Sequence, residues 1–490
     1  MTTASPSLQA FIPKAADLMV VAPEIIVIAA ACLILLAELL PSRVSKLLAP
    51  WIAATGLVGA FIPIVINGVA VRHAFSDMMV TDGFATLIKA VLAITGLLTI
   101  GISANYIKRE ELDQPEYYAL ILFSISGMMM MASSADLIMV FLSLEILSIS
   151  LYILSGFART QPKSDEAALK YFLLGSFASA FFLYGVALIY GAAQSTNLAK
   201  VAEAITAGGM AGNPLLLIGA GLLTVGLGFK VAAAPFHMWT PDVYEGAPSS
   251  VTAFMSVGAK VAGFAALARV VMTAFGAEDL NAALWVIAAL TMLVGNVVAI
   301  AQTNIKRMLA YSSIAHAGYI LVGIVAANKT GISAIVFYLL VYAFMNLGAW
   351  AVVILIGGKG DKSINLSDYA GLFWRRPGLA AAMGVFMFAL AGLPPTGGFM
   401  AKFYIFSAAL QANLVGLTVI GVLTSLISVY FYLRITVLMF MREPMEAGEP
   451  IPIPFLLGAV LVVTTIITLI LGVFPNELFK LAGLARIAGL

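Results

Sequence analysis

Apolar residues in this chain come in runs long enough to cross the ~30 Å of hydrocarbon in a bilayer. The runs fall at 18–40, 50–68, 82–106, 117–132, 135–157, 165–192, 213–237, 249–275, 279–303, 307–327, 331–357, 379–409, 414–440 and 453–474. Each predicts a membrane-spanning helix, so the expected fold class is an all-α polytopic membrane protein of about 14 transmembrane helices. Two runs are unusual: 117–132 is short, and 379–409 is too long for one straight helix. The polar stretch NLAKVAEAITA, 197–207, predicts an amphipathic helix lying along the membrane surface.

Basic residues divide unevenly between the two sets of loops. One set holds Arg43, Lys46, Lys108, Arg109, Arg159, Lys163, Lys306, Arg307, Lys359, Lys362, Arg375, Arg376 and Arg442; the other holds Lys14, Arg72, Lys200, Lys329, Lys480 and Arg486. Cytoplasmic loops carry the excess of Lys and Arg, so the first set is expected to be cytoplasmic. An even number of spans then puts both termini outside. The longest loop, 358–378, is too short for a soluble domain. The N-terminal MTTASPSLQAFIPKAADLMVV lacks the basic region, short apolar core and small-residue cleavage site of a secretory signal, so the first run is expected to remain a span.

Composition agrees with this reading. Of 490 residues, 62% are hydrophobic and 10% charged, with a mean hydropathy of +1.04, whereas a soluble domain carries roughly 25% charged residues. A net charge of +2 offers no argument for nucleic acid. The single cysteine, Cys32, can form neither an internal disulfide nor an iron–sulfur ligand set.

Seven basic residues are left once the loops are assigned: Lys89, Lys170, Lys230, Lys260, Arg269, Lys402 and Arg434. Lys89, Arg269 and Arg434 lie towards span ends, where long side chains snorkel to the interface. Lys230, Lys260 and Lys402 lie deep. Glu145 is the one carboxylate in the interior of the fourth to eighth runs; Asp136, Asp165 and Glu166 lie at run ends. A buried lysine releases its proton more readily, and a nearby carboxylate opposes that release. A Lys–Glu pair of variable separation is therefore a proton switch, whereas a fixed pair would only hold helices together. His316 sits near mid-span, where it suits either a hydrogen-bonded core or a proton relay. Lys170, near the cytoplasmic end of its span, suits the mouth of a pathway. His237 lies at a helix break, and His73 in a loop with no expected role.

Two spans are interrupted. In GLLTVGLGFKVAAAPFHMWTPDVYEGAP, 221–248, Pro235 follows Lys230; in ALAGLPPTGGFMAKFYIF, 389–406, Pro394, Pro395, Gly397 and Gly398 precede Lys402. Proline removes a backbone donor and glycine widens the backbone's range. Non-helical backbone at this depth is tolerated only in contact with protein or a wet cavity. The breaks fall in the seventh and twelfth spans. An offset of five is odd, so a five-helix repeat must invert. The expected organisation is helices 1–3 over 1–116, two inverted five-helix repeats over 117–275 and 279–440 with helices 7 and 12 discontinuous, and a last helix and tail over 441–490. No nucleotide-binding, haem or metal motif is present.

The runs FKVAAAPFHMWTPDVYEGAPSSVTAFMSVGAKVAGF (229–264), NIKRMLAYSSIAHAGYIL (304–321) and LAGLPPTGGFMAKFYIF (390–406) resemble motifs of the antiporter-like subunits of respiratory complex I. The resemblance extends from about residue 18 to 474. It implies proton translocation through Glu145, Lys230, Lys260, His316 and Lys402 along a hydrated axis, with Lys170 and His237 as further candidates. It implies no cofactor in this chain, while the complex as a whole uses NADH, FMN, iron–sulfur clusters and a quinone. The implied partners are sister antiporter-like subunits and small membrane subunits. The implied site is the bacterial inner membrane, with periplasmic termini. A subunit of a multi-subunit cation/proton antiporter shares this fold and is the alternative. A non-pumping scaffold is a third reading, under which the deep lysines would be replaceable.

Overall fold

The computed structural model describes residues 14–208, 213–443 and 452–489. The sequence ahead of Lys14, where the signal-like features were sought, and part of the 441–490 unit lie outside the described residues. Among the described residues, twelve helices are long and apolar enough to cross a membrane. The remaining predicted spans, 18–40 and 379–409, correspond to the shorter helix Ala22–Ala37 and to a pair of helices, Pro377–Ala391 and Gly397–Gln411.

Burial sorts the helices into a centre and a rim. Nearly every residue of Ser249–Val270, Ile305–Ala326 and Lys329–Gly357 is buried. A helix apolar all round belongs inside a bundle, and these three form its core. Ser42–Asn67, Pro162–Ala193 and Val415–Met441 instead expose apolar side chains such as Trp51, Phe177 and Leu426. In water such a surface would aggregate; here it faces lipid. The segment expected along the membrane surface is the helix Leu198–Gly208, which buries Leu198, Val201 and Ile205 on one stripe.

The expected helical membrane fold is what the chain adopts, with one small addition: Arg72–Ala74 and Met79–Thr81 form an antiparallel hairpin pairing Arg72 with Thr81 and Ala74 with Met79. Strands of three residues are too short to show an alternating pattern, and His73 lies on the first of them, beside Asp77 at 3.2 Å. Two sequence expectations need correction, and the first is that Lys89 does not snorkel. It is buried and meets Glu24 at 2.8 Å. The second is that Arg269 is also buried, and its guanidinium holds both oxygens of Asp82 at 2.9 and 3.0 Å. The carboxylate of Asp82 also accepts from the backbone of Ala85 and Ala488. That pair ties the tail to the start of the helix Gly83–Arg109, and a Cβ at Gly83 would stand 2.0 Å from the Leu484 carbonyl. Arg434, the third residue expected at an interface, is half-buried and reaches the carbonyls of Ile300 and Gln302.

Candidate functional site

Both expected breaks are present. The helix Pro214–Val231 stops one residue after Lys230, Ala232 adopts a left-handed conformation, and a short helix, Trp239–Gly246, follows. A break leaves backbone donors and acceptors without helical partners. Here the Ala234 amide donates to Thr291 Oγ1 at 2.9 Å, and the Trp239 indole donates to the Phe229 carbonyl at 3.0 Å. At the second break, Pro377–Ala391 ends at Gly392, whose φ is +82°, and Gly397–Gln411 begins after the two prolines. Lys402 Nζ donates to the freed carbonyls of Leu390 and Ala391 at 3.2 and 2.8 Å.

The deep candidates form a row in which neighbours are linked by single helical turns. Lys230 Nζ donates to Ser148 Oγ at 2.8 Å and approaches the Tyr171 hydroxyl at 3.4 Å. Ser148 lies one turn beyond Glu145, whose carboxylate accepts from Ser179 at 2.5 Å. Lys230 makes no direct contact with Glu145, which bonds Ser179 instead, and among the described residues Lys230 forms no ion pair. The stem of Lys230 crosses the next helix at Gly263, where a Cβ would lie 3.5 Å from Lys230 Cγ. One turn before Gly263 stands Lys260, buried and donating to the Ser313 carbonyl. One turn beyond Ser313 is His316, whose ring nitrogens meet the hydroxyls of Tyr338 at 2.6 Å and Tyr432 at 3.3 Å. One turn beyond His316 is Tyr319, over whose ring Lys402 Nζ lies at 4.7 Å. Lys402 also donates to Ser425 Oγ at 2.8 Å and lines an apolar groove of about 590 Å³.

The two remaining candidates stand apart from the row. Lys170 is half-exposed and bridges Glu166 at 2.7 Å and Asp242 at 2.8 Å. Arg307 joins Asp242 and Glu245 at 2.8 and 3.1 Å, and Lys163 joins Glu245 at 3.3 Å. These six charges line a polar cleft of about 180 Å³. Tyr171, next to Lys170, stacks on Trp239 at 4.6 Å between that cleft and Lys230. His237 is half-buried, and its Nδ1 reaches none of the other candidates. Sequence reasoning missed Ser148, Tyr171, Tyr338, Tyr432 and Ser425. The one signal for them was a hydroxyl inside an apolar run, which ordinary packing also explains.

A membrane bundle with two broken helices and buried lysines beside the breaks has the architecture of an ion-translocating membrane protein. A family model described as NADH:quinone oxidoreductase/Mrp antiporter, TM, matches residues 134–428, more than half of the chain. NADH-quinone oxidoreductase subunit N of Trichlorobacter lovleyi is 49% identical, with 95% of this chain and 96% of that one covered. Subunit N 2 of Rhizobium meliloti is 43% identical, with 95% and 97% covered. A chain of respiratory complex I from Thermus thermophilus with bound aureothin has a TM-score of 0.80 at 36% identity, with 95% and 99% covered. The Mrp complex from Dietzia contains a chain with a TM-score of 0.82 at 23% identity, which shows a shared fold. The chain belongs to the NADH-quinone oxidoreductase subunit N family.

Proposed function

We propose that this chain moves protons across the membrane through Glu145, Lys230, Lys260, His316 and Lys402. Electron transfer from NADH to quinone elsewhere in the complex supplies the energy. The observation that carries this reading is a division among buried cations. Lys89, Arg269 and Lys306 each face a carboxylate, respectively Glu24 at 2.8 Å, Asp82 at 2.9 Å and Asp361 at 3.5 Å. Removing a proton from one of these would strand a buried anion, so they stay charged and hold helices. Lys230, Lys260 and Lys402 have only hydroxyls and carbonyls within hydrogen-bond reach among the described residues. A lysine with neutral partners gives up its proton and leaves no unpaired charge behind.

In this reading the chain is two inverted five-helix units, 117–275 and 279–440, each contributing one broken helix to the axis. Both termini face the periplasm, and the protein sits in the bacterial inner membrane. Sister antiporter-like subunits and small membrane subunits pack beside it, and FMN, iron–sulfur clusters and the NADH and quinone sites belong to other chains. The charged cleft around Lys170 is the cytoplasmic mouth, and His237 is held as an accessory group at the first break. The antiporter alternative shares the fold, but the relatives at 43–49% identity bear the subunit N name.

Two measurements test the proposal. A tagged chain should co-purify with flavin and iron–sulfur subunits; recovery with further antiporter subunits and no redox centre would favour the alternative. In sealed vesicles holding the assembled complex, Lys260→Ala should abolish NADH-driven proton uptake. Uptake at the wild-type rate would remove the lysine row from the mechanism.

A further inference from the structure

One groove on the rim of the bundle belongs to neither the lysine row nor the charged cleft. It has a volume of about 860 Å³ and lies between the helices Pro377–Ala391 and Phe455–Val473. Gly378, Ala381 and Ala382 line one wall, and Gly458, Ala459 and Ile466 the other. Small residues leave the surface concave where larger side chains would have filled it. A Cβ on Gly378 would meet nothing within 4 Å, so the groove is open at that end. Its depth is that of one leaflet. Both helices start at the face that carries Arg375 and Arg376. From Phe455 to Ile466 is eleven residues, ~17 Å at 1.5 Å per residue, against ~15 Å for half of a ~30 Å hydrocarbon core. A partner helix that spans the membrane needs a groove crossing both leaflets, whereas an acyl chain needs only one.

The open end is basic and aromatic. Arg375 and Arg376 stand three and two residues ahead of Gly378, and Phe373 packs on Phe440 at 5.1 Å, which brings Arg442 to the same corner. The segments 372–379, 440–443 and 452–456 hold these three arginines and one carboxylate, Glu443. The Nε atoms of Arg375 and Arg376 are buried and have no hydrogen-bond partner among the described residues. Trp374 and Phe455 are 68% and 86% exposed, and aromatic rings so placed mark the level of the lipid headgroups. Basic pockets between membrane helices bind anionic headgroups.

We propose that this groove binds an anionic phospholipid, its phosphate at Arg375, Arg376 and Arg442 and an acyl chain along Gly378, Ala382 and Ala459. A guanidinium bonds a phosphate through two parallel N–H groups. Each basic residue near the surface favours an anionic over a neutral lipid by about fivefold. Three together, partly screened by salt, give a preference of at least about tenfold. The bound chain fills the space beside the first half of the second broken helix, which no side chain of Pro377–Ala391 or Phe455–Val473 fills.

The test uses the assembled complex in phosphatidylcholine vesicles. These are doped in turn with a phosphatidylglycerol and a phosphatidylcholine that carry a photoactivatable group on the acyl chain, and labelled peptides are mapped by mass spectrometry. The segments 378–385 and 455–466 should label at least about tenfold more with the anionic probe. The exposed stretch 58–66 of the helix Ser42–Asn67 should label equally with both. Arg375→Gln, Arg376→Gln and Arg442→Gln together should remove the preference and leave labelling by the neutral probe unchanged. Ala459→Leu, which fills the groove, should lower labelling by both probes. If the triple variant does not assemble, the wild-type complex in about 1 M salt takes its place: the Debye length falls to about 3 Å, and the preference should fall with it. Equal labelling by the two probes in wild type would overturn the proposal, as would a preference that survives loss of the arginines or high salt. A groove labelled by neither probe would be one covered by a protein partner, which overturns it as well.

Discussion

At the second break the Gly398 backbone lies against the carbonyl of Ala389 with no room for a side chain. A Cβ placed on Gly398 would stand 1.8 Å from that oxygen. An ordinary carbon–oxygen contact needs about 3.3 Å, so Gly398→Ala must part the two half-helices by roughly 1.5 Å. Lys402 rides on one half and donates to Leu390 and Ala391 on the other, at 3.2 and 2.8 Å. The same displacement takes both bonds past the ~3.5 Å at which a hydrogen bond is lost. A hydrogen bond from a charged group contributes about 1.5–3 kcal/mol. Losing one in a step that depends on it slows that step by roughly tenfold to a hundredfold. Gly398→Ala should therefore cut NADH-driven proton pumping at least tenfold while touching no ionisable group. Gly378→Ala is the control, since a Cβ there meets nothing within 4 Å; it should pump normally. The assay is dye-reported acidification in sealed vesicles, normalised to assembled complex. Wild-type pumping by assembled Gly398→Ala would refute the claim that the tight seat of the two half-helices positions Lys402.

Four further outcomes are expected. Glu145→Gln should leave assembly intact and reduce both NADH–quinone turnover and proton uptake; normal values of both would remove Glu145 from the mechanism. Lys230→Arg keeps the charge but cannot release its proton, so pumping should fall, whereas a wild-type rate would mark Lys230 as a fixed cation. Lys402→Ala should stop pumping and Lys402→Glu should retain part of it, because a carboxylate also carries a proton; equal pumping by the alanine variant and wild type would exclude Lys402 as an obligatory carrier. Asp82→Asn leaves Arg269 buried without its counter-charge, which costs about 3–5 kcal/mol. It should lower the complex's thermal denaturation temperature without changing proton uptake per turnover at low temperature.

The lysines were legible in the sequence because hydrocarbon makes any charge conspicuous. Lys230 and Lys402 stood out further because proline and glycine beside them announced the breaks. The supports were not legible, for two physical reasons. Serine sits comfortably in an apolar helix when it bonds to a carbonyl one turn back, as Ser155 does to Leu151, and tyrosine when its ring packs and its hydroxyl finds a partner. Nothing in the local sequence separates such residues from Ser148 or Tyr432. The buried pairs join distant positions: Arg269 finds Asp82 across 187 residues. Snorkelling was the reasonable reading of Lys89 while its partner was unknown, yet Glu24, inside the run 18–40, was the available signal. The hairpin and the helix Asn476–Ala482 escaped notice because neither is long enough to show a period.

The two breaks solve the same backbone problem in different ways, and the difference bears on what each lysine can do. At the first break the orphaned groups are answered by Thr291 and Trp239. Lys230 is free of that duty, and its contacts are side-chain hydroxyls that can donate or accept. The ammonium and the neutral amine are therefore both accommodated there. At the second break Lys402 itself answers the carbonyls. A neutral amine still donates, so the break keeps a partner when the proton leaves, but it donates less strongly than the ammonium does. On the proposed proton-carrying role, proton loss at Lys402 would loosen the joint between the two half-helices, whereas proton loss at Lys230 would leave its joint untouched. Of the two breaks, the second is the one whose geometry can follow its proton.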